Sequence, residues 1–133
     1  MVHLIEFEAF QDIRQYEAFN RTPLLLAIRR EFERLLERHS FEGKRVLEIG
    51  CGGNSFQQRY SGTRFIVLSD LNITLLQLNG TSAMKVVCDG EFVSFRDRTF
   101  HVIIFFGVLH HYVNQERGLK ELKRLLAPGG QFL

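Results

Sequence analysis

The sequence predicts an α/β domain built on a mostly parallel sheet. Short apolar segments recur along the chain, and segments with helical periodicity separate them. Apolar segments without alternating polar residues are typical of strands that are buried on both faces, as in parallel sheets. A glycine-rich turn directly follows the first of these segments, which is the arrangement in which such sheets bind ligands.

The first strand is predicted at residues 46–49, and it leads into a turn that contains Gly50, Gly52 and Gly53. Glycine adopts positive φ without a Cβ penalty and lets a ligand approach the bare backbone, so this turn is typical of nucleotide-like ligands. Glu48 is an acid in an otherwise apolar strand. Because burying a carboxylate without partners is costly, we expect Glu48 to accept hydrogen bonds.

The remaining elements follow from the same two patterns. Strands are predicted at 64–70, 84–88 and 100–109, with the start of a fifth at 131–133, and helices at 10–19, 22–39, 71–79 and 114–127. Residues 55–60 allow one or two helical turns at most before Ser61-Gly62 interrupts them.

Composition limits the class of protein. The chain has 133 residues, 45% hydrophobic and 24% charged, which predicts one globular domain with a substantial core. The net charge of +2 includes no basic block, so no nucleic-acid partner is indicated. Cys51 and Cys88 fit no zinc spacing and are expected to be reduced thiols, and neither a membrane span nor a signal peptide is evident. The expected location is the cytoplasm.

Each predicted strand has a polar or unusual residue at its carboxyl end. Glu48 and the glycines end the first strand, Asp70 the second, Asp89 the third, and Phe106-Gly107 followed by His110-His111 the fourth. Ligands of parallel sheets bind at the carboxyl ends of strands, so these residues are expected to line one crevice.

The spacing from the glycines to Asp70 places a carboxylate where it can accept from both hydroxyls of a ribose, which predicts an adenosine group. The dinucleotide fingerprint requires a third glycine, and Ser55 occupies that position. Glu48 would repel a pyrophosphate, but it could receive a cationic amine through a backbone or water network. The predicted ligand is an adenosine that carries a positive amino-acid end.

Five motifs in order, spread over residues 43–133, resemble those of class I S-adenosylmethionine-dependent methyltransferases. They are V-L-E-I-G-C-G at 46–52, Asp70 followed by Leu71-Asn72, Asp89 ahead of V-S-F at 93–95, F-H-V-I-I-F-F-G-V-L-H-H-Y at 100–112, and L-K-E-L-K-R-L-L-A-P-G-G at 119–130.

The resemblance implies a Rossmann-like three-layer sandwich with strand order 3-2-1-4-5, preceded by an N-terminal helical cap at 1–42. It implies S-adenosylmethionine as cofactor and methyl transfer to a small-molecule acceptor, and it identifies no catalytic residue. The implied cofactor-binding residues are Glu48, Gly50, Cys51 and Gly52 at the methionine end, Asp70 with Leu71 at the ribose, Asp89 and Gly90 at the adenine, and Phe106 and Gly107 beneath the cofactor.

The chain departs from the family pattern at three points. Asn54 replaces the usual third glycine of the turn, His101 replaces an aspartate early in the fourth strand, and the sequence ends before the family's last helix and strands. These departures leave open an alternative, an inactive cofactor-binding or scaffold module, and leave open whether the sequence is a fragment. With only 131–133 available for a fifth strand, the apolar fourth strand is expected near a sheet edge, where it would favour self-association.

His110 and His111 could in principle bind a metal or act as an acid or base. Their rings are expected to point apart, and no third ligand is near in sequence, so no metal site is expected. Lining of the substrate pocket by one of them is the alternative.

Overall fold

The computed structural model describes residues 13–80 and 83–133. The chain divides into two compact units, Met1–Ser40 and Phe41–Leu133. The first unit contains helices α1 (Ile13–Asn20) and α2 (Pro23–Leu36). Proline suits the first position of α2 because no amide hydrogen bond is lost there. The helix predicted at 10–19 is confirmed from residue 13 onward, and residues 10–12 lie outside the described residues. The division of a single domain at residues 42 and 43 stays a prediction.

The second unit is a five-stranded sheet with flanking helices. Its strands are β1 (Arg45–Ile49), β2 (Phe65–Asp70), β3 (Met84–Val87), β4 (Phe100–Ile104) and β5 (Leu126–Phe132), and its α-helices are α3 (Ile73–Leu78) and α4 (Gln115–Leu125). Two short 3-10 helices span Gln57–Arg59 and Leu109–His111. The strand order is β3-β2-β1-β4-β5 and every pairing is parallel, so the predicted fold class and strand order are confirmed.

Each face of the sheet is covered by a helix. On one face, Leu47 and Ile49 of β1 belong to the same buried cluster as Leu122 and Leu125 of α4. On the other face, Leu68 of β2 packs with α3 in a second cluster. Because neighbouring side chains of a strand point to opposite faces, continuous apolar strands supply both clusters. The result is the expected three-layer arrangement.

The last two elements differ from their predicted bounds. β4 ends at Ile104 and does not continue to Leu109, because Gly107 has φ of 66°, which is not a strand conformation. α4 ends at Leu125, two residues before its predicted end at 127, and β5 begins at the next residue. Phe100 pairs with Leu126 but Val102 pairs with Gln131, so the Pro-Gly-Gly sequence bulges out within β5.

β4 is the second strand from the sheet edge, but the fifth strand that covers it spans Leu126–Phe132 and is longer than the predicted 131–133. β5 pairs along β4, and Val102, Ile103 and Ile104 are 0% exposed. The premise for self-association through β4 is therefore removed, while self-association itself stays untested. In the part of the chain that the structure describes, no helix is long and apolar enough to cross a membrane.

Candidate functional site

The carboxyl ends of the parallel strands lie side by side along one border of the sheet, which we call the carboxyl edge. The turn after β1 lies there. We refer to residues 50–54 as the glycine turn. Gly50 has φ of 64°, and a Cβ atom on it would overlap the side chain of Val108, which is buried. Both the conformation and the space at Gly50 therefore require glycine.

Asp70, at the end of β2, is bonded directly to the glycine turn. Its Oδ2 accepts from the Gly52 amide at 2.7 Å, and its Oδ1 accepts from the Asn72 amide at 2.8 Å. Burial raises the pKa of Asp70, whereas these amide bonds and the nearby His111 act in the opposite direction. Leu71 follows at the surface, 40% exposed. The sequence correctly predicted that the glycines and Asp70 lie together.

Glu48 lies beneath the segment that follows the glycine turn. Its carboxylate is 2% exposed and accepts from Ser55 Oγ at 2.9 Å, from the Phe56 amide at 3.1 Å and from the Tyr60 hydroxyl at 2.7 Å. The expectation that Glu48 accepts hydrogen bonds is confirmed. Both of its oxygens accept from residues 55–60, and its charge also contributes to the raised pKa of Cys51 in the glycine turn.

Asn79 also holds the glycine turn, which sequence reasoning did not predict. Its side chain is 4% exposed, donates from Nδ2 to the Gly52 carbonyl at 2.6 Å and accepts at Oδ1 from the Ser55 amide at 2.9 Å. In the sequence this residue only precedes the glycine that ends the α3 pattern. The one available signal was an amide side chain at the end of a helix.

A second turn, residues 89–91, follows β3, and we refer to it as the acidic turn. Asp89 Oδ1 accepts from the Glu91 amide at 2.9 Å. Glu91 is 3% exposed and accepts from the amides of Val113 at 2.6 Å and Asn114 at 3.1 Å. Asn114 in turn caps α4, as predicted, by accepting from the Arg117 amide at 2.9 Å. The acidic turn is thus joined to the start of α4.

Tyr112 packs behind the acidic turn. A Cβ atom on Gly90 would overlap its hydroxyl, and one on Gly118 of α4 would overlap its ring, so the tyrosine fits closely between two glycines. Among the described residues, the Tyr112 hydroxyl is the one buried side-chain oxygen or nitrogen without a hydrogen-bond partner. Burial, followed by the charge of Asp89, raises the pKa of this phenol, so it is neutral at physiological pH.

Phe106 and Gly107 follow β4 at the same edge. The Phe106 ring contacts the Phe56 ring edge-on, with centroids 5.2 Å apart, so residues 55–60 also reach the end of β4. Gly107 is exposed, and a Cβ atom on it would have no described atom within 4 Å. Space is therefore open beside Gly107.

The histidine doublet is not arranged as predicted. The rings of His110 and His111 lie together, with centroids 3.9 Å apart, in a short 3-10 helix. Within residues 13–80 and 83–133 no group of three or more His, Cys, Asp or Glu side chains could hold a metal ion. Burial raises the pKa of Cys51 and of Cys88, so both thiols are protonated and weakly nucleophilic at neutral pH.

His101, the residue that replaces the family's aspartate, lies away from this edge. It is at the amino end of β4, where its Nδ1 accepts from the Arg45 amide of β1 at 3.0 Å. Burial and the neighbouring Arg45, Lys44 and Arg64 lower its pKa, so it is neutral. This substitution joins two strands and does not touch the crevice.

A comparison with known protein families identifies the group to which this chain is related. The family described as "Methyltransferase domain" matches residues 16–133. The chain belongs to this methyltransferase family. Its members use S-adenosylmethionine, so the cofactor expected from the sequence is supported.

Individual relatives of the methyltransferase domain have different described roles. A probable tRNA methyltransferase 9B of Mus musculus is 33% identical over 94 residues, which cover 68% of this chain and 21% of the relative. The ubiquinone/menaquinone biosynthesis C-methyltransferase UbiE of Haemophilus ducreyi is 29% identical over 106 residues, covering 69% of this chain and 40% of the relative. The chain thus spans less than half the length of these relatives.

Solved structures support the fold. The putative methyltransferase in a complex with the Haloferax volcanii Trm112 methyltransferase activator superposes with a TM-score of 0.75 at 18% identity, covering 96% of this chain and 58% of that one. At this identity the similarity concerns the fold alone.

The residues at the carboxyl edge fit the chemistry of the cofactor. One carboxylate is the last residue of β2 and another follows β3, and both can accept from hydroxyl and amine donors of an adenosine. The glycine turn presents backbone close to Asp70, and the space beside Gly107 is open. The described residues of this edge therefore fit an S-adenosylmethionine site.

Proposed function

We propose that this chain binds S-adenosylmethionine at the carboxyl edge of its sheet and transfers the methyl group to a small-molecule acceptor. The observation that carries the proposal is the bond between the Gly52 amide and Asp70, which fixes the glycine turn beside the acid at the end of β2. Bound there, S-adenosylmethionine supplies a methyl group on a sulfonium, which is already activated for transfer.

The residues at the edge have distinct roles in this proposal. Asp70 accepts from the ribose hydroxyls, with Leu71 beside it, and the acidic turn, at Asp89 and Gly90, faces the adenine. The glycine turn, through Gly50, Cys51 and Gly52, surrounds the methionine end, with Glu48 supporting it from below. Phe106 and Gly107 form the floor. The protein contributes orientation and proximity, and it needs no nucleophile of its own, in keeping with the raised thiol pKa values.

A small-molecule acceptor is supported by the absence of a basic block in a chain whose net charge is only +2. The Haemophilus relative, whose name describes quinone biosynthesis, is consistent with it. A tRNA acceptor is the second candidate, because the mouse relative is named as a probable tRNA methyltransferase. A protein that binds this chain as an activator is a candidate partner, since the Haloferax neighbour is described in a complex with an activator.

Radiolabelled transfer distinguishes the two acceptor classes. The protein would be incubated with S-adenosylmethionine carrying a tritiated methyl group and either a low-molecular-weight cell extract or bulk tRNA. We expect label in a small-molecule product that chromatography separates from unreacted S-adenosylmethionine, and none in tRNA. Label in nuclease-sensitive, acid-precipitable material would replace the small-molecule proposal with the tRNA candidate.

The alternative of an inactive binding or scaffold module is tested by Asp70→Ala. We expect this change to weaken binding of S-adenosylhomocysteine by about 1–3 kcal/mol, the contribution of hydrogen bonds to a carboxylate. Cofactor binding without transfer to either acceptor class would favour the binding module. Binding that D70A leaves unchanged would show that the crevice is not the site.

A further inference from the structure

We propose that Asn79 is a positioning residue for the cofactor: its buried side-chain amide holds the glycine turn in the conformation that receives the methionine end. This inference rests on the proposed function, since it concerns the same crevice. Asn79 itself is bonded to the turn and to α3, and we assign it no contact with the ligand.

The glycine turn needs external support because little in its own sequence fixes it. Glycine has more accessible backbone conformations than any other residue, so an unsupported glycine turn loses more entropy when it becomes ordered. The segment after the turn forms only the three-residue 3-10 helix Gln57–Arg59, and Asn54 replaces the family's third glycine. A long helix that would fix the turn from its far end is therefore not present at residues 55–60.

Asn79 supplies the missing support on one side. Its Nδ2 donates to the Gly52 carbonyl and its Oδ1 accepts from the Ser55 amide, so one side chain spans the turn from its middle to the first residue beyond it. Nδ2 also donates to the Leu76 carbonyl at 3.3 Å, which ties the amide to α3. The pattern requires a donor and an acceptor on one planar group, and a carboxamide provides both.

Gly52 is held at both of its peptide groups. Its amide donates to Asp70 and its carbonyl accepts from Asn79, so two side chains from different elements fix the orientation of this residue. Gly52 is also one of the residues that the proposed function places at the methionine end. Loss of the Asn79 bonds would therefore let the turn reorient, and part of the cofactor's binding free energy would be spent on ordering it.

The substitution Asn79→Asp tests this role, because the introduced carboxyl group changes its hydrogen-bonding pattern with pH. When protonated it can donate to the Gly52 carbonyl and accept from the Ser55 amide, as the carboxamide does. When ionised it places a negative oxygen against the Gly52 carbonyl, and burial raises the pH at which this happens. Asn79 contacts Cys51, on which the charges of Glu48, Asp70 and Lys85 act, and Lys85 Nζ donates to the Asn79 carbonyl. The two carboxylates oppose ionisation of the introduced group, whereas Lys85 favours it.

The measurement is calorimetric titration of S-adenosylhomocysteine into the whole chain at pH 6 and pH 8.5, with the dissociation constant of N79D divided by that of the wild type at each pH. This ratio removes the pH dependence that the two proteins share, and N79A, which introduces no charge near Asp70, controls for the rest. We expect binding about tenfold weaker than wild type or worse at pH 8.5, and a ratio that approaches one at pH 6.

Leu122→Ala is the matched control, because Leu122 is 0% exposed and lies on α4, which packs on the opposite face of the sheet from α3 and Asn79. It should lower the melting temperature but leave the dissociation constant within about twofold of wild type. N79A, which adds no charge, should weaken binding equally at both pH values, and it replaces N79D if circular dichroism shows that N79D is unfolded.

The role of Asn79 would be overturned if N79D or N79A bound S-adenosylhomocysteine as tightly as the wild type at pH 8.5. It would also be overturned if their loss of affinity were no larger than that of L122A. Failure of the wild type to bind S-adenosylhomocysteine would instead overturn the proposed function, and the inference with it.

Discussion

The glycine turn and the acidic turn lie at the same edge of the sheet but are held in different ways. The glycine turn is fixed by side-chain hydrogen bonds to Asp70 and Asn79, and the segment that follows it is fixed by hydrogen bonds to the buried Glu48. In the acidic turn, Glu91 accepts a hydrogen bond from the Val113 amide, but the turn is otherwise held by packing, because Tyr112 lies between Gly90 and Gly118. The first turn should therefore respond to changes of polarity and charge, and the second to changes of volume.

Removal of the Glu48 carboxylate should have the largest effect on stability. In Glu48→Ala, Ser55, Phe56 and Tyr60 lose their acceptor, and a buried donor left unsatisfied costs ~1–3 kcal/mol. We expect the free energy of unfolding to fall by about 3 kcal/mol in urea denaturation. Glu31→Ala, at an exposed ion pair, should change it by less than ~0.5 kcal/mol. Equal effects of the two substitutions would contradict the buried network.

Addition of one methyl group to the acidic turn should have the next largest effect. Gly90→Ala is expected to reduce stability by ~1–3 kcal/mol, the usual result of overpacking, because its Cβ would overlap the Tyr112 hydroxyl. In the double variant G90A/Y112F the hydroxyl is absent, but the ring atoms Cζ and Cε1 would still lie 2.7 and 2.9 Å from the added Cβ, so only part of this loss should be recovered. Gly80→Ala, where a Cβ meets no described atom within 4 Å, is the control. Additive effects of the two substitutions would show that the hydroxyl does not limit this space.

Two tyrosine hydroxyls should differ in their contribution to stability. The Tyr60 hydroxyl donates to Glu48, so Tyr60→Phe should destabilise by about 1.5–3 kcal/mol, as for hydrogen bonds to charged groups. Tyr112→Phe removes a buried hydroxyl that has no described partner, and should be neutral or stabilise by up to ~1 kcal/mol. Thermal unfolding of both variants tests the pair. A loss of more than ~1 kcal/mol in Y112F would indicate that its hydroxyl is satisfied.

The smallest effect expected is a pH dependence that originates at Asp70. Its folded pKa is raised, so the folded state holds this proton more tightly than the unfolded state. The stability of the wild type relative to Asp70→Asn should therefore fall as pH rises from the ordinary aspartate range through the raised pKa. Binding of S-adenosylhomocysteine should change in the opposite sense, because ribose hydroxyls need the ionised carboxylate as acceptor. Parallel trends in stability and binding would contradict this assignment.

Local sequence predicted the parts of the site that depend on strand ends. The glycine turn, Asp70 and Asp89 follow short apolar segments, and the parallel sheet brings such ends together without further information. The strand order also followed, through the resemblance to a known family. These predictions concern backbone topology, which apolar periodicity largely determines.

The side chains that hold the turns could not be predicted in this way. Asn79 reaches back 24 residues to Ser55, and Tyr112 reaches 22 residues back to Gly90 by sequence number. Neither pairing leaves a periodic signal. The end of β4 could not be predicted for a related reason. Gly107 lies within an apolar segment of the sequence, and its positive φ is seen only in the structure.

The most direct test of the account is calorimetric titration of the wild-type chain with S-adenosylmethionine, S-adenosylhomocysteine and NAD under identical conditions. The account predicts saturable binding of the first two ligands at one site per chain and no binding of NAD. A buried acid lies beneath the segment that follows the glycine turn, and the turn lacks the third glycine of the dinucleotide fingerprint. Saturable binding of NAD without binding of either S-adenosyl compound would contradict it.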